Sequence, residues 1–249
     1  TAMFSATHGI NTHKGLVFAS AILCGALGKV HAGKSLPLPA EEVLSECRKL
    51  GSCSLGDLAK LSRHQNKLSP ASSIDMNSQD SRGSMPMDTK NHPPQAEPSA
   101  LSNGERIFSA YGIQGARGEA AAGFPSAVRI GLPALKKWLA AGFSLNDAAA
   151  MALLTLISEA DDTNMVHRGG PELAKKSKEQ AKHLLSAVTN DSFKEILSSL
   201  DEQYIAMHLS PGGCADLLAV SLMFHFLETC GMISPVISSS LPHRRPPSM

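Results

Sequence analysis

Aromatic residues are scarce in this sequence, making up 4% of 249 residues against 43% for hydrophobic residues as a whole. A core would therefore be built from Leu, Ala, Val, Ile and Met, a composition that favours helices over β-sandwiches. Alternating runs of polar and apolar residues, which would indicate strands, are also lacking. The hydrophobic share is still large enough for a core and excludes a wholly disordered chain.

An excess of charge of one sign is missing too. The formal net charge is +1 at pH 7, which predicts binding neither to nucleic acid nor to a membrane surface. The five cysteines form no CxxC pair, and no close Cys and His set has the spacing of zinc ligands. We interpret them as reduced thiols of a cytosolic protein: Cys24, Cys47, Cys53, Cys214 and Cys230.

Long hydrophobic runs are absent as well. The longest apolar stretch, 16–27, is too short to span a bilayer and contains Ser20 and Gly25. No secretory signal is visible, so the expected compartment is the cytoplasm. The chain begins at Thr1 rather than at Met, and we expect that its true start has been lost.

Apolar residues at helical spacing are what the sequence does contain, and they predict an all-α, bundle-like single domain. The strongest pattern covers 145–160, where Ser144 and Asp147 form a capping box in which each side chain satisfies an orphan backbone donor. A helix over 124–141 is predicted to be interrupted near Gly131 and Pro133. Further helices are predicted from Asn11 or Thr12 to about residue 30, and over 41–50, 55–61, 105–111, 172–188, 192–208 and 215–229.

Polar residues dominate 62–103, where apolar periodicity is lost. Such a stretch cannot bury enough apolar surface to order itself, so we predict a disordered insertion, with partner docking as the alternative role. The insertion divides the helical domain into 1–61 and 104–237. The polar, Pro-rich tail 238–249 is predicted to fray.

Residues 28–35, GKVHAGKS, match the phosphate-loop pattern GxxxxGK[ST] letter for letter. That pattern works between a β-strand and a helix, whose N-terminal amides then hold the phosphates. Here the preceding residues have a helical pattern, and Pro37 and Pro39 keep the following residues from continuing a helix. We interpret Gly28 and Gly33 as a helix end, and keep a phosphate-loop ATPase or kinase as the alternative function.

Four glycine- and charge-bearing clusters stand apart from the helical background. Residues 9–15, GINTHKG, place Asn11, His13 and Lys14 at a helix start, where free amides and the helix dipole favour anions. The alternative interpretation is an ordinary N-cap with solvated neighbours.

The second cluster is 111–120, YGIQGARGEA, followed by Gly-Phe-Pro at 123–125. Its three glycines within seven residues let the backbone approach a ligand closely. Arg117 offers a fork of donors suited to phosphate oxygens, and Glu119 could hold a metal or act as a base. The alternative is a glycine-rich turn with a surface ion pair.

The third cluster, 161–170 with the sequence DDTNMVHRGG, directly follows the strongest helix. If helical geometry continues, Asp161, Asn164 and Arg168 share one face. Carboxylates beside an arginine and two glycines suit magnesium-bound phosphate chemistry. The alternative is a charged helix end closed by the two glycines.

The fourth cluster is 209–218, LSPGGCADLL. Ser210 suits a helix start, and Gly212 and Gly213 leave amides open to an anion. Asp216 lies in the first turn, where its alternative role is to complement the helix dipole.

Taken in order, these clusters resemble the triphosphoribosyl-dephospho-CoA synthase family, which makes the prosthetic-group precursor of citrate lyase and malonate decarboxylase. The resemblance spans most of the chain between residues 9 and 218. The matching stretches are NTHKG at 11–15, YG at 111–112, RGEA at 117–120, GFP at 123–125, DTN at 162–164, RGG at 168–170, SPGG at 210–213 and ADLL at 215–218.

The resemblance implies a reaction in which ATP is joined to 3′-dephospho-CoA and adenine is released, giving 2′-(5″-triphosphoribosyl)-3′-dephospho-CoA. The acceptor hydroxyl attacks the anomeric carbon of the ATP ribose, and the triphosphate stays on the transferred sugar. The product would pass to an acyl-carrier-protein transferase, and the chain could form a homo-oligomer.

Chemistry matched to the motif positions gives the expected roles. Asp161 and Asp162 would hold Mg²⁺ on the triphosphate. Glu119 is the first choice of base for the attacking hydroxyl and Asp216 the second, while His13 would protonate adenine or bond to phosphate. The residues expected to bind ATP through its triphosphate are Asn11, His13, Lys14, Arg117, Arg168, Gly169, Gly170, Ser210, Gly212 and Gly213.

Two features depart from the family pattern. The family has several tens of residues, with a Lys-Pro-Gly-Leu-Val-Asp segment, before its Asn-Thr-His-Lys motif, so we expect a chain shortened at its N-terminus. The insertion at 62–103 is also unusually polar. The non-enzyme alternative is therefore a helical nucleotide-binding remnant that has lost activity.

Overall fold

The computed structural model describes residues 13–65, 103–189 and 192–237. Regular structure in these ranges is helical apart from an isolated parallel bridge between Leu38 and Ile233, so the all-α prediction is confirmed. Asn11, the predicted disorder over 66–102 and the predicted fraying of 238–249 lie outside the described residues. The α-helices are α1 Lys14–His31, α2 Ala40–Gln65, α3 Asn103–Tyr111, α4 Gly115–Ala121, α5 Leu132–Ala140, α6 Leu145–Glu159, α7 Thr163–Ala187, α8 Phe193–Ala206 and α9 Gly212–Thr229.

Helices α6 and α9 form the centre of the bundle. Helix α6 packs against α5, α7 and α9, and α9 also packs against α1. Ala148, Met151, Leu154 and Leu156 are buried on different sides of α6, the pattern of a helix enclosed by its neighbours. This packing fixes the positions at which α7 and α9 begin. These two helices lie on either side of the candidate site.

The predicted capping box at the start of α6 is half right. The Ser144 hydroxyl accepts a hydrogen bond from the Asp147 N–H at 3.2 Å, as an N-cap does. The Asp147 carboxylate instead accepts a hydrogen bond from the Ser144 hydroxyl, at 2.8 Å between Oγ and Oδ2. Aspartate is one methylene shorter than the glutamate of the usual box, and here it turns to the nearer hydroxyl.

The two helices predicted over 41–50 and 55–61 are one continuous helix, α2. Gly51 lies between the two predicted ranges and inside this helix, and a Cβ there would be 2.4 Å from the carbonyl carbon of Ala120. The glycine therefore serves a close crossing of α2 and α4 rather than a helix end. Because α2 runs to residue 65, the first four residues of the predicted insertion are helical.

The interruption predicted near Gly131 and Pro133 takes the form of a π-helical turn, Ala127–Gly131, that leads directly into α5. A Cβ on Gly131 would lie 2.2 Å from the Ser221 hydroxyl of α9, so the glycine allows the turn to touch the central helix. Pro133 lies in the first turn of α5, where a missing N–H is tolerated, and the helix continues.

Helix α1 is long and apolar enough, by length and composition alone, to cross a membrane. Its buried residues Ala19, Leu23 and Ala26 recur every three or four positions. The helix packs against α2 and α9. We therefore describe α1 as an apolar helix that packs on the bundle along one side and whose N-terminal end faces the candidate site.

Candidate active site

Four helices begin close together at one end of the bundle: α1, α4, α7 and α9. Each of them starts within one of the four clusters singled out in the sequence. The first amides of a helix have no acceptor within the helix, and the aligned peptide dipoles place about half a positive charge there. Four such ends in one place form a region suited to a strongly anionic group.

A single carboxylate joins the starts of α7 and α9. Asp162 is the N-cap of α7, and its Oδ1 accepts hydrogen bonds from the N–H groups of Asn164 at 2.8 Å and Met165 at 3.1 Å. Its Oδ2 accepts a third bond, at 2.8 Å, from the N–H of Cys214 in the first turn of α9. The residue is 5% exposed, so these three donors replace the water that its charge loses on burial.

Two glycines let the ends of α7 and α9 touch. A Cβ on Gly212 would lie 2.5 Å from Asn164 Nδ2, and a Cβ on Gly213 would lie 3.0 Å from Asp162 Oδ1. Side chains at these positions would push α9 away from α7. Glycine is thus required at both positions because the two helices approach each other closely, and the sequence alone did not indicate this requirement.

Asp216 joins the start of α9 to the start of α1. It accepts a hydrogen bond from the Leu16 N–H, and a Cβ on Gly15 would lie 2.0 Å from its Oδ2. Burial and, to a smaller extent, the nearby Asp162 carboxylate raise the pKa of Asp216 to about 6, although the Leu16 N–H acts to lower it. Asp216 is therefore a carboxylate with a pKa close to neutral beside the converging helix ends.

Helix α4 completes the set through Gly115. This residue has a φ of 55°, and a Cβ on it would lie 3.0 Å from Cγ2 of Thr163, the first residue of α7. The positive φ and the close contact both favour glycine. The sequence does not predict α4, because the second cluster has three glycines within seven residues and two of them, Gly115 and Gly118, lie in the helix itself.

Glu119 lies on the buried side of α4 and is 6% exposed. Its Oε2 accepts a hydrogen bond from the Ser126 N–H at 3.0 Å, and its Oε1 accepts one from the Ser126 hydroxyl at 2.7 Å. The carboxylate thereby holds the Gly-Phe-Pro turn against α4. Its role as a base stays a prediction. Ser126 was missed because a lone serine after a proline gives no motif of its own.

The predicted cations lie around the edge of this region. His13 and Lys14 are exposed at the start of α1. Arg117 forms an ion pair with Glu105, at 3.3 Å between Nη1 and Oε1, and Arg168 Nη1 lies 3.5 Å from the carbonyl oxygen of His208. Their binding to phosphate stays a prediction.

The expectation that helical geometry continues through the third cluster is wrong. Ala160 and Asp162 have extended ψ angles of 160° and 109°, so a new helix begins at Thr163. Asn164 and Arg168 share a face of α7, but Asp161 does not, and its Oδ1 lies 3.0 Å from Lys178 Nζ. An N-cap aspartate has stopped one helix and started the next.

Gly169 and Gly170 lie well along α7, about 10 Å from its start at a rise of 1.5 Å per residue. Gly170 has a φ of 74° and marks a kink, after which Pro171 begins the segment predicted as a helix over 172–188. The structure therefore does not bring these two glycines to the place where α1, α4, α7 and α9 begin. Ser210 precedes α9 and is partly buried.

Residues 28–35 do not have the geometry of a phosphate loop. Residues up to His31 belong to α1 rather than to a strand, and Gly33 has a φ of 78° just after the helix. Lys34 forms an ion pair with Glu42 of α2. The interpretation of this segment as a helix end is supported, and the alternative ATPase or kinase function is not favoured.

In the three described ranges, no three His, Cys, Asp or Glu side chains lie close enough together to hold a metal ion. A cavity of about 280 Å³ lies between α7 and α8 and is lined by residues that include Leu184, Ile196 and Leu200. None of the predicted site residues lines this cavity.

Comparison with known proteins points to one family. A family model described as ATP:dephospho-CoA triphosphoribosyl transferase matches residues 1–233. A probable 2-(5''-triphosphoribosyl)-3'-dephosphocoenzyme-A synthase of Streptococcus equi subsp. zooepidemicus is 36% identical over 91% of this chain and 69% of its own length. A protein of Pectobacterium atrosepticum named 2-(5''-triphosphoribosyl)-3'-dephosphocoenzyme-A synthase is 34% identical over 90% of this chain and 62% of its own length.

No solved structure matches the chain. The sequence matches nevertheless cover all four clusters, and the fold brings the starts of the four helices that carry them together. The chain belongs to the ATP:dephospho-CoA triphosphoribosyl transferase family.

Proposed function

We propose that this chain transfers the triphosphoribosyl group of ATP to 3′-dephospho-CoA and releases adenine. The observation that carries the proposal is the meeting of α1, α4, α7 and α9 at their N-terminal ends. These ends come from motifs that are up to about two hundred residues apart in the sequence, and the similar proteins carry the name of this synthase. A site for the triphosphate is what such an arrangement suits.

The triphosphate would lie against the first turns of these helices. The Asn164, Met165, Cys214 and Leu16 amides already donate to Asp162 or Asp216. Other amides of the first turns, such as those of Gly212 and Gly213, would donate to the triphosphate oxygens, and Lys14, Arg117 and Arg168 at the edge would neutralise further charge. Lys14 and Arg168 are exposed and the Arg117 side chain is partly exposed, so they can turn towards a bound ligand. Contacts from Asn11, Gly169, Gly170 and Ser210 stay predictions.

The chemical step is a glycosyl transfer. The 2′-hydroxyl oxygen of 3′-dephospho-CoA forms a bond to the anomeric carbon of the ATP ribose while the bond from that carbon to adenine breaks. Adenine keeps the electron pair, and positive charge grows on the ribose in the transition state. The hydroxyl proton goes to a base of the protein, and the departing adenine takes a proton, for which His13 is our candidate donor.

Asp216 is the base we propose for the hydroxyl. With a pKa of about 6 it is mostly ionised at pH 7 and still basic enough to accept a proton. It is partly exposed beside the helix ends, whereas both oxygens of Glu119 are held by Ser126 in a buried position. For this reason we propose Asp216 ahead of Glu119, the reverse of the order expected from the sequence.

Magnesium would enter as the counter-ion of ATP rather than as a metal held by the protein. We also propose that the reaction takes place in the cytoplasm. The product would serve the prosthetic group of citrate lyase or malonate decarboxylase through an acyl-carrier-protein transferase. The proposal includes neither a nucleic acid nor a membrane as partner, and it allows a homo-oligomer.

Mass spectrometry of a reaction with ATP, Mg²⁺ and 3′-dephospho-CoA tests the proposal. We expect free adenine together with a triphosphoribosylated product, and none when CoA replaces 3′-dephospho-CoA, because its 3′-phosphate crowds the attacking hydroxyl. Formation of ADP would indicate a kinase or ATPase instead. Binding of ATP without any product would indicate an inactive remnant.

A further inference from the structure

The carboxylate of Asp162 occupies a position that suits a structural tie better than a metal ligand. We propose that Asp162 is a positioning residue that fixes the ends of α7 and α9 relative to each other, and that it does not bind magnesium. The functional part of this inference rests on the proposed triphosphate site. The structural part can be tested without any substrate.

The hydrogen bonds of Asp162 account for both of its oxygens. Oδ1 serves the N–H groups of Asn164 and Met165 in α7, and Oδ2 serves the N–H of Cys214, which lies 52 residues further along the chain. Asp162 is 5% exposed and Cys214 is fully buried. A magnesium ligand needs an oxygen that faces the ion within a nearly octahedral set of oxygens, usually including several waters. A carboxylate enclosed by three amides does not offer that.

The neighbouring aspartate does not supply a metal site either. Asp161 is exposed, and its carboxylate faces the ammonium group of Lys178 at 3.0 Å. A metal ion would have to compete with that cation. Within the described part of the chain, no group of three potential ligands includes either aspartate. The two residues that the sequence predicted as a metal pair therefore do not fit one.

The tie has a direct consequence for an anion at the helix ends. Gly212 and Gly213 begin α9 and contact Asn164 and Asp162. Their amides belong to the first turn and have no acceptor within the helix. The bond from Cys214 to Asp162 thus sets where these amides lie relative to α7. The charge of Asp162 and its positioning role predict opposite effects of a substitution on anion affinity. Loss of the carboxylate removes a repulsion and would raise the affinity, whereas loss of the correct amide positions removes an attraction and would lower it.

Two substitutions of Asp162 separate position from charge. In Asp162→Asn the side-chain oxygen can still cap α7, but the amide group faces the Cys214 N–H, so that two donors meet. In Asp162→Ser the hydroxyl can cap α7, since serine is a good N-cap, but it is too short to reach α9. Asp161→Asn is the matched control, because it removes a neighbouring carboxylate that does not join the helices.

The measurements are thermal unfolding and calorimetric binding of inorganic tripolyphosphate, both in EDTA so that no metal contributes. For both Asp162 variants we expect the melting temperature to fall by about 5 °C or more and the affinity for tripolyphosphate to fall about tenfold. Asp161→Asn should leave both quantities close to those of the wild-type protein.

Wild-type melting temperatures for both Asp162 variants, or tighter tripolyphosphate binding by Asp162→Asn, would overturn the inference. If Asp162→Asn does not fold, Asp162→Ser decides, because it retains the cap of α7. A wild-type chain that binds no tripolyphosphate would count against the proposed function. In that case the melting temperatures, which need no ligand, would still test the tie.

Discussion

Replacement of Asp216 by asparagine tests the proposed chemistry most directly. The substitution removes the ionisable group and keeps an oxygen that can accept the Leu16 N–H. If Asp216 takes the proton of the attacking hydroxyl, the rate constant for adenine release should fall by about 100- to 10,000-fold, the usual contribution of a positioned base. This range corresponds to about 3 to 5 kcal/mol in the activation free energy.

The pH dependence gives a second measure of the same residue. The surroundings of Asp216 raise its pKa from 3.8 to about 6, so the wild-type value of kcat/KM should fall as the pH drops through about 6 and the base becomes protonated. The Asp216→Asn variant should lack this acid limb.

As the pH rises through about 6, the stability of the protein should fall while kcat/KM rises. A carboxyl group whose pKa is raised on folding destabilises the native state when it is ionised, and this cost is present above about pH 6 and is lost as the pH falls towards 3.8. The full difference would be about 3 kcal/mol, but solvent screening of a partly exposed group reduces it to about 1 kcal/mol. At pH 8 the Asp216→Asn variant should thus melt about 2 to 4 °C higher than the wild-type protein.

The assay is adenine release followed by chromatography across this pH range, with thermal unfolding of the same samples. Asp201→Asn is the control, because it neutralises an exposed carboxylate on α8 and should change neither rate nor stability. A variant at Asp216 that keeps the wild-type rate within a few-fold, or that keeps the acid limb near pH 6, would refute the assignment of Asp216 as the base.

Three further predictions follow from single contacts. Gly15→Ala places a Cβ 2.0 Å from a carboxylate oxygen. It should lower the free energy of unfolding by about 1 to 3 kcal/mol and remove most of the activity. Gly28→Ala, in open space on the same helix, should instead raise the free energy of unfolding, measured in urea, by about 0.5 to 1 kcal/mol. Lys34→Ala should leave the rate of adenine release unchanged. Loss of adenine release in this variant would favour the phosphate-loop interpretation instead. Ser126→Ala removes a hydroxyl that bonds to the buried Glu119 and should lower the free energy of unfolding by about 1.5 to 3 kcal/mol, so an unchanged urea midpoint would contradict that role.

Helix formation could be predicted from the sequence because it depends on neighbours three or four residues away. The apolar pattern of α6 and its Ser144 cap are local features, and both are found in the structure. The prediction was less accurate where glycine has two meanings. The gap left between the helices predicted over 41–50 and 55–61 lies inside α2, where Gly51 permits a close contact. Gly115 belongs to a cluster whose alternative was a turn, yet it begins α4 and also permits a close contact.

By itself the sequence determined the all-α class, the position of most helices and the four clusters that identify the family. Only the tertiary structure decided what the carboxylates do. Asp162 joins α7 to α9, Asp161 pairs with Lys178, and Asp216 gains a pKa of about 6 from its burial and from Asp162. These properties depend on groups between 17 and about 200 residues away, which packing brings within a few ångströms, and on the water that packing excludes.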